Sequence, residues 1–297
     1  MTPSNDRDRA GRGGRRLPQD GILRVALLQT APVLGDVKAN LAELDGLLAS
    51  VADADLAVTP ELATHGYFVG ELPSLDPIPA DDPRLVELAR HGPAVVVGFV
   101  EAWRHHRHNA AAVLDASADD TLVGVQRKLY LPNYGRWEER KHFRPGNRQH
   151  SFTVRGTRIA PLVCYDVWQT PMPWLAAHAG AEVLVVLADS VHSTSTIPVQ
   201  DTWDLILRHA AVTLQSYVIF VNRTGDEAGE RFWGGSRVIG PDGASLDGLG
   251  EEPGTLTVDL DLAELRRIRA TWPMLIDTRF DLVAREAARL DADEHDH

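Results

Sequence analysis

Ile159-Ala160-Pro161-Leu162-Val163-Cys164-Tyr165-Asp166-Val167-Trp168 is an apolar run that turns polar and aromatic at the only cysteine of the chain. A run this short and this continuously apolar reads as a strand covered on both faces rather than as a helix. Its end places Cys164 at a strand's carboxyl terminus, where α/β sheets gather their ligands. A helical segment around Trp174 to His178 follows, and then a second apolar run at residues 183–187. Strand, helix, strand is the order that builds a parallel pair.

Working toward the N-terminus, the same order recurs. Leu23 to Thr30 reads as a buried strand, and Leu41, Leu44, Leu47, Leu48 and Val51 recur at helical spacing. A strand at residues 56–59 is then stopped by Pro60. The segments 53–60 and 180–187 occupy similar places in the two units, which hints at two pseudo-equivalent halves. Further strands are expected at Pro93 to Glu101, 108–114 and 122–128, with a solvated turn at 115–120 and an irregular stretch at 129–150. Beyond the second unit come a helix at 200–215, a strand at 216–222, strands at Phe232 to Gly240 and Gly254 to Asp261, and a helix at 261–269. With no Pro/Gly/Ser linker between 22 and 285, one domain is expected there. Residues 1–21 read as a disordered leader and 286–297 as an acidic C-terminal tail, frayed from Asp291.

Composition narrows the function. The 30 Lys and Arg are outnumbered by 42 Asp and Glu, for a formal net charge of −12, which disfavours a nucleic-acid surface. The longest apolar runs fall far short of the roughly 18 residues of a membrane span. The five arginines of the first 20 residues have no apolar stretch beside them. One cysteine cannot close an intrachain disulfide, so a reducing compartment, the cytoplasm, is the expected home.

Three chemically distinct groups sit at strand ends: Glu61 after the 56–59 strand, Lys128 closing the 122–128 strand, and Cys164. Each has an ordinary reading by itself: a solvated carboxylate, a surface ammonium, a packed thiol. Together they supply what acyl transfer requires, namely a thiol that attacks, a base that takes and returns protons, and a cation for the developing oxyanion. That chemistry requires no metal or organic cofactor. The stretch Arg104-His105-His106-Arg107-His108 lacks ordered ligand spacing and reads as a solvated loop rather than a metal site.

These residues carry a resemblance to the nitrilase, or carbon-nitrogen hydrolase, superfamily. Pro60-Glu61-Leu62-Ala63-Thr64-His65-Gly66-Tyr67 is similar to its glutamate motif, Arg127-Lys128-Leu129-Tyr130-Leu131-Pro132 to its lysine motif, and Val163-Cys164-Tyr165-Asp166 to its cysteine motif. Phe143-Arg144-Pro145-Gly146, Arg231-Phe232-Trp233-Gly234-Gly235-Ser236 and Pro241-Asp242-Gly243 add to it. The resemblance implies a four-layer αββα sandwich of the α/β class, a Glu61-Lys128-Cys164 catalytic set, and homodimers assembled through helices near the cysteine. It also implies a second glutamate before the Phe-x-Pro-Gly turn, and counting back four from Phe143 lands on Glu139, with Glu138 its neighbour.

The implied activity is hydrolysis of a small-molecule amide through a cysteine thioester. Alternatives are a nitrilase, an N-carbamoyl amide hydrolase, a glutaminase-like ammonia-supplying subunit, an acyltransferase, or an inactive interaction module. Cys164-Tyr165-Asp166 looks more like the omega-amidase branch, whereas Lys128 to Gly146, with Leu131-Pro132-Asn133-Tyr134, resembles the glutaminase domain of glutamine-dependent NAD synthetases. Candidate oxyanion and substrate contacts are the Tyr165 N–H, the rings of Tyr130 and Trp168, and Asp189 and Ser190 directly after the 183–187 strand. Tyr67, Tyr134 and Phe232 are further aromatics near the motifs.

Overall fold

Strands that are apolar on both sides must be covered on both sides. In the computed structural model, which describes residues 21–68, 76–135, 137–192 and 198–295, four layers satisfy this demand. The strands are β1 (Ile22–Gln29), β2 (Leu56–Val58), β3 (Ala94–Trp103), β4 (His106–Leu114), β5 (Leu122–Arg127), β6 (Asn133–Tyr134), β7 (Trp137–Glu138) and β8 (Phe152–Val154). They continue with β9 (Thr157–Val163), β10 (Val183–Ala188), β11 (Tyr217–Asn222), β12 (Thr224–Glu227), β13 (Glu230–Trp233), β14 (Arg237–Ile239), β15 (Ser245–Gly248) and β16 (Gly254–Asp261). The α-helices are α1 (Val37–Ser50), α2 (Pro83–Val86), α3 (Pro171–His178), α4 (Val199–Thr213), α5 (Leu262–Thr271) and α6 (Phe280–His295).

One six-stranded sheet has the order β16-β1-β2-β3-β4-β5 and the other β15-β14-β11-β10-β9-β8. Within each, three consecutive strands are parallel: β1, β2 and β3 in the first, β9, β10 and β11 in the second. Alternation along a strand sorts side chains between layers. Leu23, Val25 and Leu27 of β1 meet Val183, Val185 and Leu187 of β10 in the cluster between the sheets. Ala26 and Leu28 face outward onto Leu41, Leu44 and Leu48 of α1, while Leu184 and Val186 face Trp203 and Leu207 of α4. The result is the expected αββα sandwich. Truncating a fully buried leucine such as Leu44 or Leu207 to alanine would cost about 2–5 kcal/mol.

Several expectations are revised. The single strand read over 232–240 is broken at Gly234 and Gly235, both at positive φ, so Phe232 and Trp233 belong to the β12–β13 hairpin and the second sheet resumes at β14. The irregular 129–150 stretch contains the small β6–β7 hairpin and a short 3-10 turn at Glu139–Lys141. His106 and His108 extend β4 as far as Trp103 of β3, and His108 is buried with its Nδ1 bonded to the Arg144 carbonyl, so this part is not a solvated loop. The C-terminal end is helical through His295 rather than frayed from Asp291, with Arg289 paired to Glu286 and Asp293 at helical spacing. Residues 1–20 of the expected leader lie outside the described residues.

Candidate functional site

The turns of the first sheet that carry the glutamate and lysine motifs depend on close backbone approach. The turn after β2 crosses β3 so closely that a Cβ on Gly98 would lie 2.3 Å from the Pro60 carbonyl oxygen. Thr59 Oγ accepts the Gly98 N–H, Thr64 donates its N–H to the Gly98 carbonyl, and Leu62 takes a left-handed φ of +43°. These constraints turn Glu61 inward. Lys128 follows β5, its carbonyl accepting the Gly146 N–H of the Phe-x-Pro-Gly turn.

Inside, Lys128 Nζ donates to Glu61 Oε1 and to Glu139 Oε1, both at 2.7 Å. Lys128 and Glu61 are fully buried, and Glu139 nearly so. Asn109, in the middle of β4, donates Nδ2–H to Glu61 Oε1 at 2.7 Å. The second Glu61 oxygen accepts the Asp189 N–H at 3.0 Å, which stitches the end of β10 to the turn after β2. Tyr67 donates its hydroxyl to Glu139 Oε1 at 2.7 Å. Glu138, by contrast, lies outward in an exposed pair with Lys141.

Cys164 opens a short 3-10 turn at the end of β9 with φ of +48°, a left-handed conformation that a non-glycine residue holds only when its surroundings impose it. Asp166 is that surrounding. One carboxylate oxygen accepts the N–H groups of Leu129 and Tyr130, directly after Lys128, and the other accepts the Val163 N–H at 3.3 Å. A single buried carboxyl thus ties the lysine's strand end to the cysteine's turn.

The electrostatics follow from burial. Desolvation, reinforced by the Glu61 charge, pushes the Cys164 thiol well above its ordinary pKa, so the resting sulfur carries its proton and needs a base. Burial opposes the charge on Lys128, but Glu139 and Glu61 outweigh it and hold the ammonium protonated, with its pKa well above the usual lysine range. Burial raises Glu139 against the pull of Lys128. Asp166 is pushed up to about 7 by burial, against its backbone donors. Among the described residues, no group of three or more His, Cys, Asp or Glu side chains is arranged to hold a metal ion, and no helix is long and apolar enough to cross a membrane.

A cavity of about 370 Å³ opens onto Cys164 and is lined by Tyr165, Trp168, Asp189 and Ser190 of the expected contacts, together with Tyr67 and Tyr134. Tyr130 does not line it. The residue is 38% exposed, and its backbone N–H serves the site, through Asp166. The Ser190 hydroxyl is occupied by two indoles, accepting from Trp203 Nε1 at 2.9 Å and Trp233 Nε1 at 3.0 Å, so it braces the loop after β10. Phe232 is buried under the Arg223 guanidinium, 4.1 Å from its ring centroid, rather than in the cavity. Sequence reading missed Asn109, Asp166, and the buried Arg223–Glu227 pair, in which Glu227 also accepts the Tyr67 and Phe68 N–H groups. A second cavity, about 400 Å³, is lined by Trp103, Arg127 and His150 and contains none of the candidate catalytic side chains.

Comparison with known proteins agrees with this geometry. The carbon-nitrogen hydrolase profile matches residues 24–270. A glutamine-dependent NAD(+) synthetase of Thermotoga maritima is 31% identical over 84% of the chain, which spans only 44% of that protein's length. A 2-oxoglutaramate amidase of Bacillus subtilis is 30% identical over 77% of the chain and 86% of its own. Among solved structures, an amidase of Nesterenkonia AN1 from the nitrilase superfamily superposes with a TM-score of 0.76 at 29% identity, covering 91% of this chain and 98% of its own. Another structure of that amidase carries the acetamide moiety of fluoroacetamide covalently at the active-site cysteine. Four buried or half-buried motif residues gathered where the two sheets meet, and a family profile spanning both sheets, lead to one statement: the chain belongs to the carbon-nitrogen hydrolase family.

Proposed function

We propose that the chain hydrolyses a small carboxamide to its acid and ammonia through a thioester on Cys164. The observation that carries this reading is the buried Lys128 ammonium held 2.7 Å from both Glu61 and Glu139, at the sheet end where Cys164 takes its strained turn. Glu61 accepts the thiol proton as sulfur bonds to the amide carbon, and the carbonyl electrons move to oxygen. Lys128 and the Tyr165 N–H stabilise that oxyanion. On collapse the carbon–nitrogen bond breaks, and Glu61 returns its proton to the departing ammonia. Glu61 then takes a proton from water, hydroxide adds to the thioester carbon, and collapse expels the thiolate, which recovers the proton from Glu61. Glu139, bonded by Tyr67, keeps Lys128 charged and in place throughout.

The test is ammonia release from a panel of aliphatic and aromatic amides, glutamine, dicarboxylate monoamides, carbamoyl amino acids and nitriles, with Cys164→Ser alongside. Amide turnover that Cys164→Ser abolishes supports the reading. Release confined to nitriles or carbamoyl compounds replaces it, as does release unchanged in Cys164→Ser. The likeness to the synthetase favours glutamine as one substrate to include, the ammonia then passing to a partner. The cytoplasm suits a protein whose sole cysteine must stay reduced.

We further place a second copy of the chain against the C-terminal region. Ile276 is 80% exposed and Trp272 67%, while Phe280 packs on Trp174 of α3 at a ring separation of 5.1 Å, so this apolar surface lies beside the cysteine-bearing half. Sedimentation should give a dimer or a larger homo-oligomer, and a monomer would remove this part of the proposal.

A further inference from the structure

Among the described residues, the charges of the site do not balance. Glu61, Glu139 and Asp189 are three buried carboxyl groups around one ammonium, Lys128, whose two bonds go to the glutamates. The nearby Arg223 guanidinium is committed to Glu227 through Nη1 at 2.8 Å and reaches the Pro32 carbonyl through Nη2. Asp189 is 4% exposed, lines the Cys164 cavity, and neither of its carboxyl oxygens has a hydrogen-bond partner among the described residues. A buried carboxyl without a partner is costly, and in a ligand cavity it is a group waiting for a donor. Burial and the neighbouring Glu61 charge push its pKa well above the usual aspartate range, as expected where positive charge is lacking.

The rest of the lining has the same character. No lysine or arginine lines the cavity among the described residues. His192, at its edge, is engaged by Gln200 at 2.8 Å and lies 3.6 Å from Glu251. The rings of Tyr134, Tyr165 and Trp168 stand in sequence beside Cys164, with centroids 6.0 and 6.5 Å apart. Aromatic faces attract cations and apolar groups, which leaves only the hydroxyls of Tyr134 and Tyr165 and the indole N–H of Trp168 among these three side chains to donate to a substrate carboxylate.

From this arrangement we infer that the enzyme selects amides whose acyl chain carries an ammonium group, with Asp189 as its acceptor and the tyrosine and tryptophan rings as its walls. The inference rests on the amidase reading above and names its substrate class. It sets this cavity against anionic monoamides of dicarboxylic acids, which add negative charge beside Glu61 and Glu139 and bring no cation for Asp189 to pair with.

Three amides of one chain length separate the possibilities: 5-aminopentanamide, pentanamide, and the monoamide of glutaric acid, each assayed for ammonia release with the wild type and Asp189→Asn. The expected order of kcat/KM is cation over neutral over anion, with a step of about tenfold or more for the charged hydrogen bond. Asp189→Asn should bring the cation and neutral amides within about threefold of each other. A wild-type enzyme that prefers the neutral or anionic amide overturns the inference while leaving the amidase reading intact, and this arm needs no variant to fold. A preference for the cation that Asp189→Asn, folded by circular dichroism, leaves unchanged overturns the role of Asp189. No turnover of any of the three by folded enzyme that releases ammonia from another amide of the panel overturns the inference alone, whereas silence across the whole panel removes the amidase reading with it.

Discussion

The two sheets share one plan and divide the chemistry unequally. Each has an antiparallel edge strand, β16 or β8, then three parallel strands, then two antiparallel ones, β4 and β5 or β14 and β15. The first contributes Glu61, Asn109 and Lys128, all essentially inaccessible to solvent, while the second contributes Cys164 and the cavity-lining Asp189. At the end of β1, the counterpart of β9, stands Gln29. Its amide donates to the carbonyls of Gly250 and Glu252 and accepts the Ser236 N–H, so this strand end staples a crossing loop instead of presenting a thiol to the cavity. Equivalent topology therefore does not place equivalent chemistry. The side chain and the turn that follows the strand decide it, here the +48° φ at Cys164.

If the first half supplies fixed charge and the second the reacting atom, removing the charge should do the most damage short of removing sulfur. Lys128→Ala should lower kcat by at least about 10²–10³ through loss of the oxyanion's cation. It should also cost about 3–5 kcal/mol of stability, because two buried carboxylates lose their counter-ion. The double variant Lys128→Met with Glu139→Gln removes one of those charges and should recover part of the stability in urea unfolding while remaining inactive. Equal instability of the two variants would mean that the Glu61–Lys128–Glu139 cluster is not held together by charge.

Asp166 joins the halves, so its replacement tests whether they act as a unit. Asp166→Asn keeps the shape but offers an amide to one set of backbone N–H groups, and kcat should fall about tenfold with KM less affected, the loss of one or two hydrogen bonds. The pH dependence has a definite sign. A folded pKa of about 7, above the ordinary aspartate value of 3.8, means that the folded state holds a proton the unfolded chain releases between those values. The corresponding stability is fully present below 3.8 and is lost as pH rises through about 7. The wild type's stability advantage over Asp166→Asn should therefore shrink from pH 4 to 7 and stay level above it. An advantage independent of pH would show that Asp166 is ionised throughout.

Much of this site was legible because its candidate catalytic residues follow short apolar runs that end in Pro60, at Arg127 and at Cys164, and local pattern reveals such strand ends. Glu139 was reachable only through the family's spacing, since nothing local separates it from Glu138. Asn109 gave no signal at all: it sits mid-strand, and only the antiparallel pairing of β4 with β3 and β5 carries it to Glu61. The partnership of Arg223 with Glu227 and the backbone of Tyr67 spans about half the chain, a tertiary fact that no window contains. Tyr130 was misjudged because its adjacency to Lys128 says nothing of direction; the backbone turns there, so its N–H faces Asp166 while its ring faces solvent. The helical end beyond Asp291 was hidden by its acidic composition, which the i,i+3 and i,i+4 arginine pairs offset.

The smallest expected effect starts from a residue of the first half. Tyr67→Phe removes one hydroxyl, whose 2.7 Å bond to Glu139 Oε1 is the side-chain contact that links the Arg223–Glu227 pair to the lysine cluster. The ring would keep its edge contacts with Phe68 and Phe232, so packing is conserved. A hydrogen bond to a charged acceptor contributes about 1.5–3 kcal/mol, but Glu139 retains Lys128, so the net loss should be nearer 1 kcal/mol. Because Tyr67 touches Glu139 and not Glu61, kcat should fall by less than about tenfold, the pH profile keeping its shape. A drop as large as that of Lys128→Ala would show that Glu139 depends on Tyr67 to hold the ammonium, and would make this aromatic residue, rather than the glutamate alone, what fixes the charge that the first half presents to the second.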